Sequence, residues 1–370
     1  MKILSLTEHN FGGEFKATQS LLRAVEENGV TVEYQTLAPL TKTGLLSYFW
    51  WILQSVAYSS RLAWRQRDCD IVYTTTYTAL LGAELVRALT KQRVCFHYHW
   101  SRIPASTEEG LSAFRSTTQK IKHAVVVFLH NIAWSNADLF IAPSAQVFHS
   151  LSQNFKQLGK KAVIVPNGVD TQNFIPVSEE EQTVLRKQYH IPHRAFVCLV
   201  ISRINAEKRI LETLQFIRDL QDNCRKQVLL LMALPSEGND DEYLQRVQKA
   251  LNQIELPHYV FVDHPKIQEL YQISDCFLSH SNTEVFPLVL LEAAAVGIPY
   301  FASENGEVER FLEEIDPGLI LPRSEIGAVR QVLANTHKRK LSESLRRFAL
   351  AHTWQASAIQ LLDCLKLHEP

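Results

Sequence analysis

The chain has 370 residues, 46% of them hydrophobic and 21% charged, and its formal net charge is −1. These values are typical of a globular protein and exclude a disordered or membrane-embedded chain, and the near-neutral charge without a concentrated basic stripe argues against nucleic acid binding. Because 370 residues exceed one ordinary hydrophobic core, we expect two domains. Residues 1–170 carry 17 Lys and Arg against 12 Asp and Glu, and the remainder carries 21 against 27. The basic first half is compatible with an anionic membrane surface or an acidic substrate, and equally with dispersed surface charge.

Short apolar runs alternate with helical segments in the first half of the chain. The runs, which predict strands, cover residues 3–6, 31–37, 71–75, 94–97, 139–142 and 162–165, and helical periodicity covers residues 15–27 and 79–89. Apolar runs separated by helices are typical of strands in a parallel sheet. The alternation stops at residues 166–176, where we place a domain linker.

The apolar segment 44–58 is shorter than the roughly 20 residues that span a bilayer. It contains Trp50 and Trp51, and basic residues follow it from Arg61 onward. We favour a buried or acceptor-pocket helix, and a helix that lies in a membrane interface is the alternative.

The second half repeats the strand and helix pattern. Strands are predicted at residues 196–201, 228–233, 259–262, 276–279 and 300–302, and the last stretch, 341–367, predicts a helix broken near Thr353. Ligand loops at the carboxyl ends of such strands would place a site in the cleft between two α/β domains.

The six cysteines are far apart, and the N-terminus lacks the features of a signal peptide. We therefore expect reduced cysteines in a cytoplasmic protein.

Four groups of residues could carry chemistry. Gly12 and Gly13 follow the first strand and would let the backbone approach a ligand, although a plain turn has the same pattern. His97 and His99 follow the strand at 94–97; hydrogen bonding to an acceptor is favoured over zinc, because no other ligand stands at a recognisable spacing. The other two groups lie in the second half.

Arg203 and Lys208 lie beside the N-terminus of the helix that follows strand 196–201. Cations at a helix N-terminus oppose the helix dipole, so they indicate a bound anion such as a diphosphate. A solvated basic turn paired with Glu207 is the alternative.

Glu284 and Glu292, separated by seven residues, flank the start of an apolar helix. Pro287 suits the first helical position, which would leave the N–H groups of Leu288 and Val289 open to an anion. Carboxylates bind sugar and ribose hydroxyls while amides bind diphosphate, so the pattern favours a nucleotide sugar. The alternative is a helix-end charge plus a surface glutamate.

Together these segments resemble the retaining GT-B glycosyltransferases of family 4, also called glycosyl transferases group 1, over nearly the whole chain. The resemblance rests on a glycine loop, a strand with a histidine, two stretches that close the first domain, a basic segment and a glutamate pair, at residues 12–13, 94–99, 137–144, 165–174, 202–208 and 284–292. It implies two Rossmann-like parallel-sheet domains facing across a cleft. Residues 1–168 would bind the acceptor, residues 177–345 the nucleotide sugar, and a helix in 346–370 would pack back toward the first domain.

The resemblance also implies roles for individual residues. Catalytic roles fall on His97, Arg203, Lys208 and Glu284. Donor contacts fall on Gly12, Gly13, Arg203, Lys208, Glu284, Phe286, Leu288, Val289 and Glu292. Acceptor contacts fall on His9, Asn10, His97 and His99.

The implied activity is retaining transfer of a sugar from a nucleoside diphosphate donor to a hydroxyl of a glycan, glycolipid or small metabolite. No metal or cofactor is expected, because two cations and a helix end can neutralise the diphosphate. The rivals are a nucleotide-sugar epimerase and a glycosyltransferase-like subunit that binds without turnover. The second is motivated by Ser202, Arg209 and the loop at 304–309, which depart from the family's glycines. A cytoplasmic location is expected, and peripheral contact with the inner face of a membrane stays open.

Overall fold

The computed structural model describes residues 1–7, 12–37, 45–99, 117, 120–121, 124–125, 127–129, 132, 137–154, 161–282, 284–303 and 335–367. The predicted acceptor residues His9 and Asn10, and the loop at 304–309, lie outside the described residues. The chain forms two compact units, residues 1–166 with 357–370 and residues 167–356. Each unit contains a parallel sheet whose strands alternate with helices, which confirms the predicted fold class.

The sheet of the first unit is parallel throughout, in the order β2-β1-β3-β4-β5-β6. Its strands are β1 (Lys2–Thr7), β2 (Thr31–Thr36), β3 (Ile71–Thr74), β4 (Arg93–His97), β5 (Leu139–Ala142) and β6 (Ala162–Ile164). Every residue of β3 and β5 is buried, as expected for central strands that helices cover on both faces. All six predicted strands are confirmed within one residue at each end.

The described helices of the first unit are α1 (Gly12–Glu27), α2 (Leu45–Arg65), α3 (Tyr77–Thr90) and α4 (Ala145–Asn154). α1 starts three residues before the predicted helix, so Gly12 and Gly13 belong to its first turn and not to a preceding loop. α2 packs on α3 at Gly82, where a Cβ would overlap Ser59 Oγ and lie 2.7 Å from the Val56 carbonyl oxygen. None of the helices in the described ranges combines the length and the apolar character needed to cross a bilayer.

The sheet of the second unit is also parallel, in the order β11-β10-β7-β8-β9. Its strands are β7 (Phe196–Ile201), β8 (Val228–Leu234), β9 (His258–Val262), β10 (Cys276–Ser279) and β11 (Tyr300–Ala302), again within one residue of prediction. Cys198 and Cys276 stand side by side on β7 and β10 with their Sγ atoms 3.8 Å apart. All six cysteines are described, and none forms a disulfide.

The described helices of the second unit are α5 (Glu179–Gln188), α6 (Ile210–Asp222), α7 (Asp241–Gln253), α8 (Ile267–Gln272), α9 (Leu288–Val296) and α10 (Asn335–Ala351). Ser178 and Glu181 form a capping box on α5, and Asp240 caps α7. Arg346 ties α10 to the C-terminal end of α9, because its Nη1 donates to the Ala295 carbonyl oxygen at 2.6 Å.

The last described helix, α11 (Trp354–Leu367), follows the predicted break at Thr353. Arg93 Nη1 donates to the Leu365 carbonyl oxygen at 2.7 Å, which joins the end of α11 to the first unit. The units divide after residues 166 and 356, so residues 167–176 belong to the second unit and the predicted boundary at residue 345 falls inside α10.

Candidate functional site

Lys208 and Glu284 form an ion pair at the carboxyl-end edge of the second sheet. β7 and β10 are neighbouring parallel strands, so the segments that follow them, residues 202–209 and 280–287, leave the sheet at the same edge. Lys208 ends a 3₁₀ turn that Asn205 caps, with Lys208 N donating to Asn205 Oδ1 at 3.1 Å. Lys208 Nζ lies 2.7 Å from Glu284 Oε1, and the two side chains are only 22% and 15% exposed. Two predicted site residues, 76 positions apart in sequence, are thus brought together.

Arg203 and Arg209 lie on either side of that turn, and they differ in the ion pairs and hydrogen bonds that their guanidinium groups form. Arg209 stands where the family pattern has glycine, and its φ of +50° lies in the left-handed region that favours glycine. Its guanidinium bonds Glu212 Oε1 at 3.0 Å and Asn282 Oδ1 at 3.3 Å. Arg203 is exposed, and within the described ranges its guanidinium forms no ion pair. Arg203 is therefore not drawn into the Lys208–Glu284 pair and is open to an anion.

His280 follows β10 directly and lies near the same turn. Its Nδ1 is 3.1 Å from Thr213 Oγ1. Burial, with a smaller effect from the charge of Arg209, lowers the pKa of His280 to about 4. His280 is thus neutral at pH 7 and adds no charge beside Lys208.

The N-terminus of α9 presents open amides. Pro287 is the N-cap and makes no side-chain cap, so the helix starts at Leu288, one residue later than predicted. The first amide with an intrahelical acceptor is that of Leu290, which bonds the Pro287 carbonyl oxygen at 3.2 Å. Leu288 N and Val289 N have no acceptor among the described residues. This end of the helix can therefore receive an anion from two amides and the dipole.

Glu292 is buried in the second turn of α9 and is hydrogen-bonded to Tyr271, a residue that was not predicted. The Tyr271 hydroxyl donates to Glu292 Oε2 at 2.8 Å. Burial and the nearby carboxylate raise the pKa of Tyr271 well above its ordinary value, so the phenol stays a donor. Tyr271 lies in α8, and no sequence motif marks it.

Phe286 lies inside the core of the second unit. Its side chain is buried, and its ring centroid is 6.2 Å from that of His352. Asn167 Nδ2 donates to the Phe286 carbonyl oxygen at 2.9 Å, which fixes the chain just before α9. The ring thus packs internally, and the donor contact predicted for it stays a prediction. Asn167 was not predicted, although it lies in the 165–174 segment that resembles the family.

His97 is buried in the first unit and hydrogen-bonded to Tyr73, a residue that was not predicted. Tyr73 Oη contacts His97 Nδ1, and the rings meet edge to face with centroids 5.9 Å apart. His97 Nε2 is buried with no hydrogen-bond partner among the described residues. Burial, with a smaller effect of His99, holds the pKa of His97 well below its ordinary value, so the ring is neutral.

The neighbours of Tyr73 decide the tautomer of His97. If Nδ1 carried the proton, the buried Tyr73 hydroxyl would lack an acceptor among the described residues, which costs about 1–3 kcal/mol. If Tyr73 donates to Nδ1, the Nε2–H group is the one polar group of this pair that those residues leave without a partner. The second arrangement leaves fewer unsatisfied groups, so His97 presents Nε2–H as a hydrogen-bond donor.

His99 and the glycine pair complete the predicted residues of the first unit. The His99 ring lies against that of His97, with centroids 4.0 Å apart, and its Nε2 is 3.4 Å from Thr18 Oγ1. Burial lowers the pKa of His99 to about 3. Gly12 has a φ of +87°, and a Cβ on either Gly12 or Gly13 would meet nothing within 4 Å among the described residues. Within that part of the chain, the first turn of α1 leaves room for close approach by a ligand.

Among the described residues, no cluster of three or more His, Cys, Asp and Glu side chains could hold a metal ion. Among the charged groups near this sheet edge of the second unit are the Glu284 carboxylate, the Lys208 ammonium paired with it and the open Arg203 guanidinium. Such a set can bind hydroxyls and phosphate oxygens.

Two family models match the chain in adjacent regions. The model described as Glycosyltransferase Family 4 matches residues 18–173, and the model described as Glycosyl transferases group 1 matches residues 181–349. The chain therefore belongs to the glycosyltransferase family that these two models describe. The gap between the two matches, residues 174–180, lies close to the division of the chain into two units at residue 166.

Curated relatives match this chain over only part of their own length. D-inositol 3-phosphate glycosyltransferase of Corynebacterium jeikeium is 26% identical over 233 residues, which is 60% of this chain and 56% of the relative. Alpha-monoglucosyldiacylglycerol synthase of Acholeplasma laidlawii is 23% identical over 202 residues, which is 53% of this chain and 49% of that protein. The chain thus spans about half the length of the curated relatives it matches.

Solved structures share the fold of this family member. Anabaena HepE in complex with UDP-glucose matches with a TM-score of 0.73 and 19% identity, over 99% of this chain and 100% of the other. A likeness at this identity shows a shared fold and confirms the predicted GT-B class.

Proposed function

We propose that this protein is a retaining glycosyltransferase that moves a hexose-like sugar from a nucleoside diphosphate donor to a hydroxyl acceptor. The observation that carries the proposal is the Lys208–Glu284 ion pair, which lies at the sheet edge where the chain leads into the uncapped N-terminus of α9. Family membership supports the reaction class. The names of the relatives support a sugar donor, and the UDP-glucose complex of Anabaena HepE supports a nucleotide as its leaving group.

Charge neutralisation at the diphosphate is the main catalytic effect in this proposal. The bond between the anomeric carbon and the diphosphate oxygen breaks, a bond from that carbon to the acceptor oxygen forms, and the proton of the acceptor hydroxyl passes to an oxygen of the departing diphosphate. Negative charge builds on the departing diphosphate. Arg203, Lys208 and the amides of Leu288 and Val289 stabilise that charge, which lowers the barrier because the charge is largest in the transition state.

The carboxylates bind the hydroxyls of the donor. Glu284 accepts from the sugar, and its ion pair with Lys208 holds the carboxylate in place. Glu292 accepts from the ribose; a carboxylate has about four acceptor sites, so its bond to Tyr271 is compatible with a second one. Gly12 and Gly13 offer backbone to the diphosphate from the first unit. Acceptor binding falls to His9, Asn10 and His99.

His97 acts as a donor and not as a general base. Its protonated Nε2 cannot take a proton, so it donates a hydrogen bond to an oxygen of the sugar or of the acceptor. Retention then proceeds either by attack on the face from which the diphosphate leaves or through a covalent intermediate, and no side chain is assigned as a nucleophile.

We also propose that turnover needs no metal ion, because Arg203, Lys208 and the end of α9 can neutralise the diphosphate. A cytoplasmic location is part of the proposal, supported by six cysteines that form no disulfide. A glycolipid acceptor fits the name of the Acholeplasma relative, while a glycan or a small metabolite remain acceptor classes of the same proposal.

The test starts with the full chain and a thermal-shift screen of UDP, GDP, ADP, CDP and TDP. Donors of the base that gives the largest shift are then incubated with the protein in EDTA, and release of the nucleoside diphosphate is followed. Proton NMR of the freed sugar reports its anomeric configuration. We expect release with retention, and loss of release in Glu284→Gln.

Other outcomes decide against the proposal. Isomerisation of the donor sugar without release would favour the epimerase, and nucleotide binding without turnover of any donor would favour a binding subunit. Lys266→Met is the matched control, because Lys266 makes an exposed ion pair with Glu269 at 2.9 Å in the same unit. Its activity should equal that of the unmodified protein.

A further inference from the structure

Helix α2 is anchored to the first unit through one face. Its buried residues lie on one side of the helix: Trp51, Ile52, Ser55, Ser59, Leu62 and Ala63. Ser60 Oγ donates to the Gly82 carbonyl oxygen of α3 at 2.9 Å, and Gly82 leaves no room for a Cβ against Ser59. These contacts fix the rotation of α2 about its axis, so its opposite face is turned outward.

The outward face of α2 is apolar along its length. Leu46 is 84% exposed, Trp50 and Leu53 are each 62% exposed, and Trp64 is 44% exposed. With the exposed Ala57 these residues are spaced by 4, 3, 4 and 7 positions, which places them in one stripe along the helix. Single exposed apolar residues are ordinary, whereas a continuous stripe of this length marks a surface that contacts a partner.

Positive charge accompanies the stripe at its C-terminal end. α2 contains Arg61 and Arg65 and no Asp or Glu, and Arg67 follows it. All three arginines are exposed, and the Arg67 guanidinium lies over the Trp64 ring at 5.3 Å. The acidic residue next in sequence, Asp68, is paired with Lys2 at 2.5 Å. The partner of this face should therefore have an apolar interior that accepts the stripe and a negatively charged surface that accepts the arginines.

We propose that this face of α2, the stripe of Leu46, Trp50, Leu53, Ala57 and Trp64 with its arginines, docks on the surface of a bilayer that contains anionic phospholipid. The helix lies in the interface plane, with Trp50 and Leu53 among the acyl chains and the arginines among the phosphates. A second copy of the chain fits the face less well, because it would bring the same arginines and no carboxylate of α2. The proposal does not depend on sugar transfer, since it concerns a surface and no donor contact.

The test measures binding of the full chain to vesicles by flotation, without substrate. Vesicles of phosphatidylcholine alone are compared with vesicles that contain 30% phosphatidylglycerol. We expect at least tenfold stronger partition into the anionic vesicles, reduced in 0.5 M NaCl by screening. Each arginine near an anionic surface contributes roughly a fivefold change in partition, so Arg61→Gln with Arg65→Gln should weaken binding roughly 25-fold.

The apolar stripe is tested separately from the charges. Trp50→Gln with Leu53→Gln should lower partition into both kinds of vesicle by at least tenfold while the melting temperature is unchanged, because both side chains are exposed. Val184→Gln, at an exposed apolar position of the second unit, is the matched control and should bind like the unmodified chain.

Three results would overturn the proposal. The first is the absence of binding to anionic vesicles, and the second is binding that neither pair of α2 substitutions weakens. The third is sedimentation equilibrium showing a dimer that Trp50→Gln with Leu53→Gln dissociates, which would assign the face to a second copy.

Discussion

Replacing Lys208 by methionine separates a catalytic role of the Lys208–Glu284 pair from a structural one. At 2.7 Å and an effective dielectric constant of 20, the attraction between the two charges is about 6 kcal/mol, most of which desolvation cancels. Exposed pairs contribute up to about 1 kcal/mol, and breaking a buried pair costs about 3–5 kcal/mol. These side chains are 22% and 15% exposed, so we expect Lys208→Met to lower the free energy of unfolding by about 2 kcal/mol.

The effect on turnover should be larger. If Lys208 contacts the departing diphosphate, its loss should lower kcat by about 10²–10³-fold, as removal of a transition-state charge donor does. A domain with about 5–15 kcal/mol of stability stays folded after a loss of about 2 kcal/mol. Unfolding would therefore not explain a loss of turnover at 25 °C.

The assay combines urea unfolding, followed by circular dichroism, with release of nucleoside diphosphate from the donor. Glu284→Gln and the double variant complete a double-mutant cycle, with a coupling energy of about 1–2 kcal/mol expected in stability. Lys266→Met should change stability by at most about 0.5 kcal/mol and leave turnover unaltered. A Lys208→Met protein that loses stability but keeps its donor affinity and kcat would refute the diphosphate role and leave the pair structural.

Three further predictions concern other parts of the molecule. Gly13→Ala should raise the free energy of unfolding by about 0.5–1 kcal/mol, because the added Cβ meets nothing within 4 Å among the described residues. The same substitution should lower donor affinity if the Gly13 backbone approaches the diphosphate, and an unchanged affinity would count against that approach. Gly29→Ala, with a φ of +83°, is the destabilised comparison. Tyr73→Phe should shift His97 toward the Nδ1–H tautomer in ¹⁵N NMR and lower kcat/KM roughly fivefold, the value of one hydrogen bond; an unchanged tautomer contradicts the assignment. The pKa of His280 is about 4 in the folded state and about 6.5 in the unfolded state. Between these values the unfolded state binds a proton that the folded state does not, so the stability that His280 contributes is complete above pH 6.5 and is lost as the pH falls toward 4. His280→Gln should reduce the pH dependence of unfolding between pH 6 and 5 by about 1.4 kcal/mol per pH unit, and an identical slope in both proteins would show that His280 does not titrate this way.

Much of the fold could be read from the sequence because both sheets are parallel and buried. Strands covered on both faces need continuous apolar runs, and such runs at residues 139–142 and 276–279 coincide with β5 and β10. Helix starts were less certain. Glycine permits several backbone conformations, and proline fits both the N-cap and the first helical position. α1 accordingly starts earlier than predicted, at Gly12, and α9 later, at Leu288.

The sequence by itself determined the family and the segments on which the site residues lie, because motif residues must follow particular strands in order along the chain. Only the tertiary structure decided which side chains meet. Lys208 pairs with Glu284, which is 76 positions away in sequence, and Asn167 donates to the Phe286 carbonyl oxygen, 119 positions away. Tyr73 contacts His97 on the neighbouring strand. Local pattern carries no information about such pairs, since strand order and register set them. The same holds for the two faces of α2. Its apolar residues are visible in the sequence, but packing against α3 determines which of them are exposed.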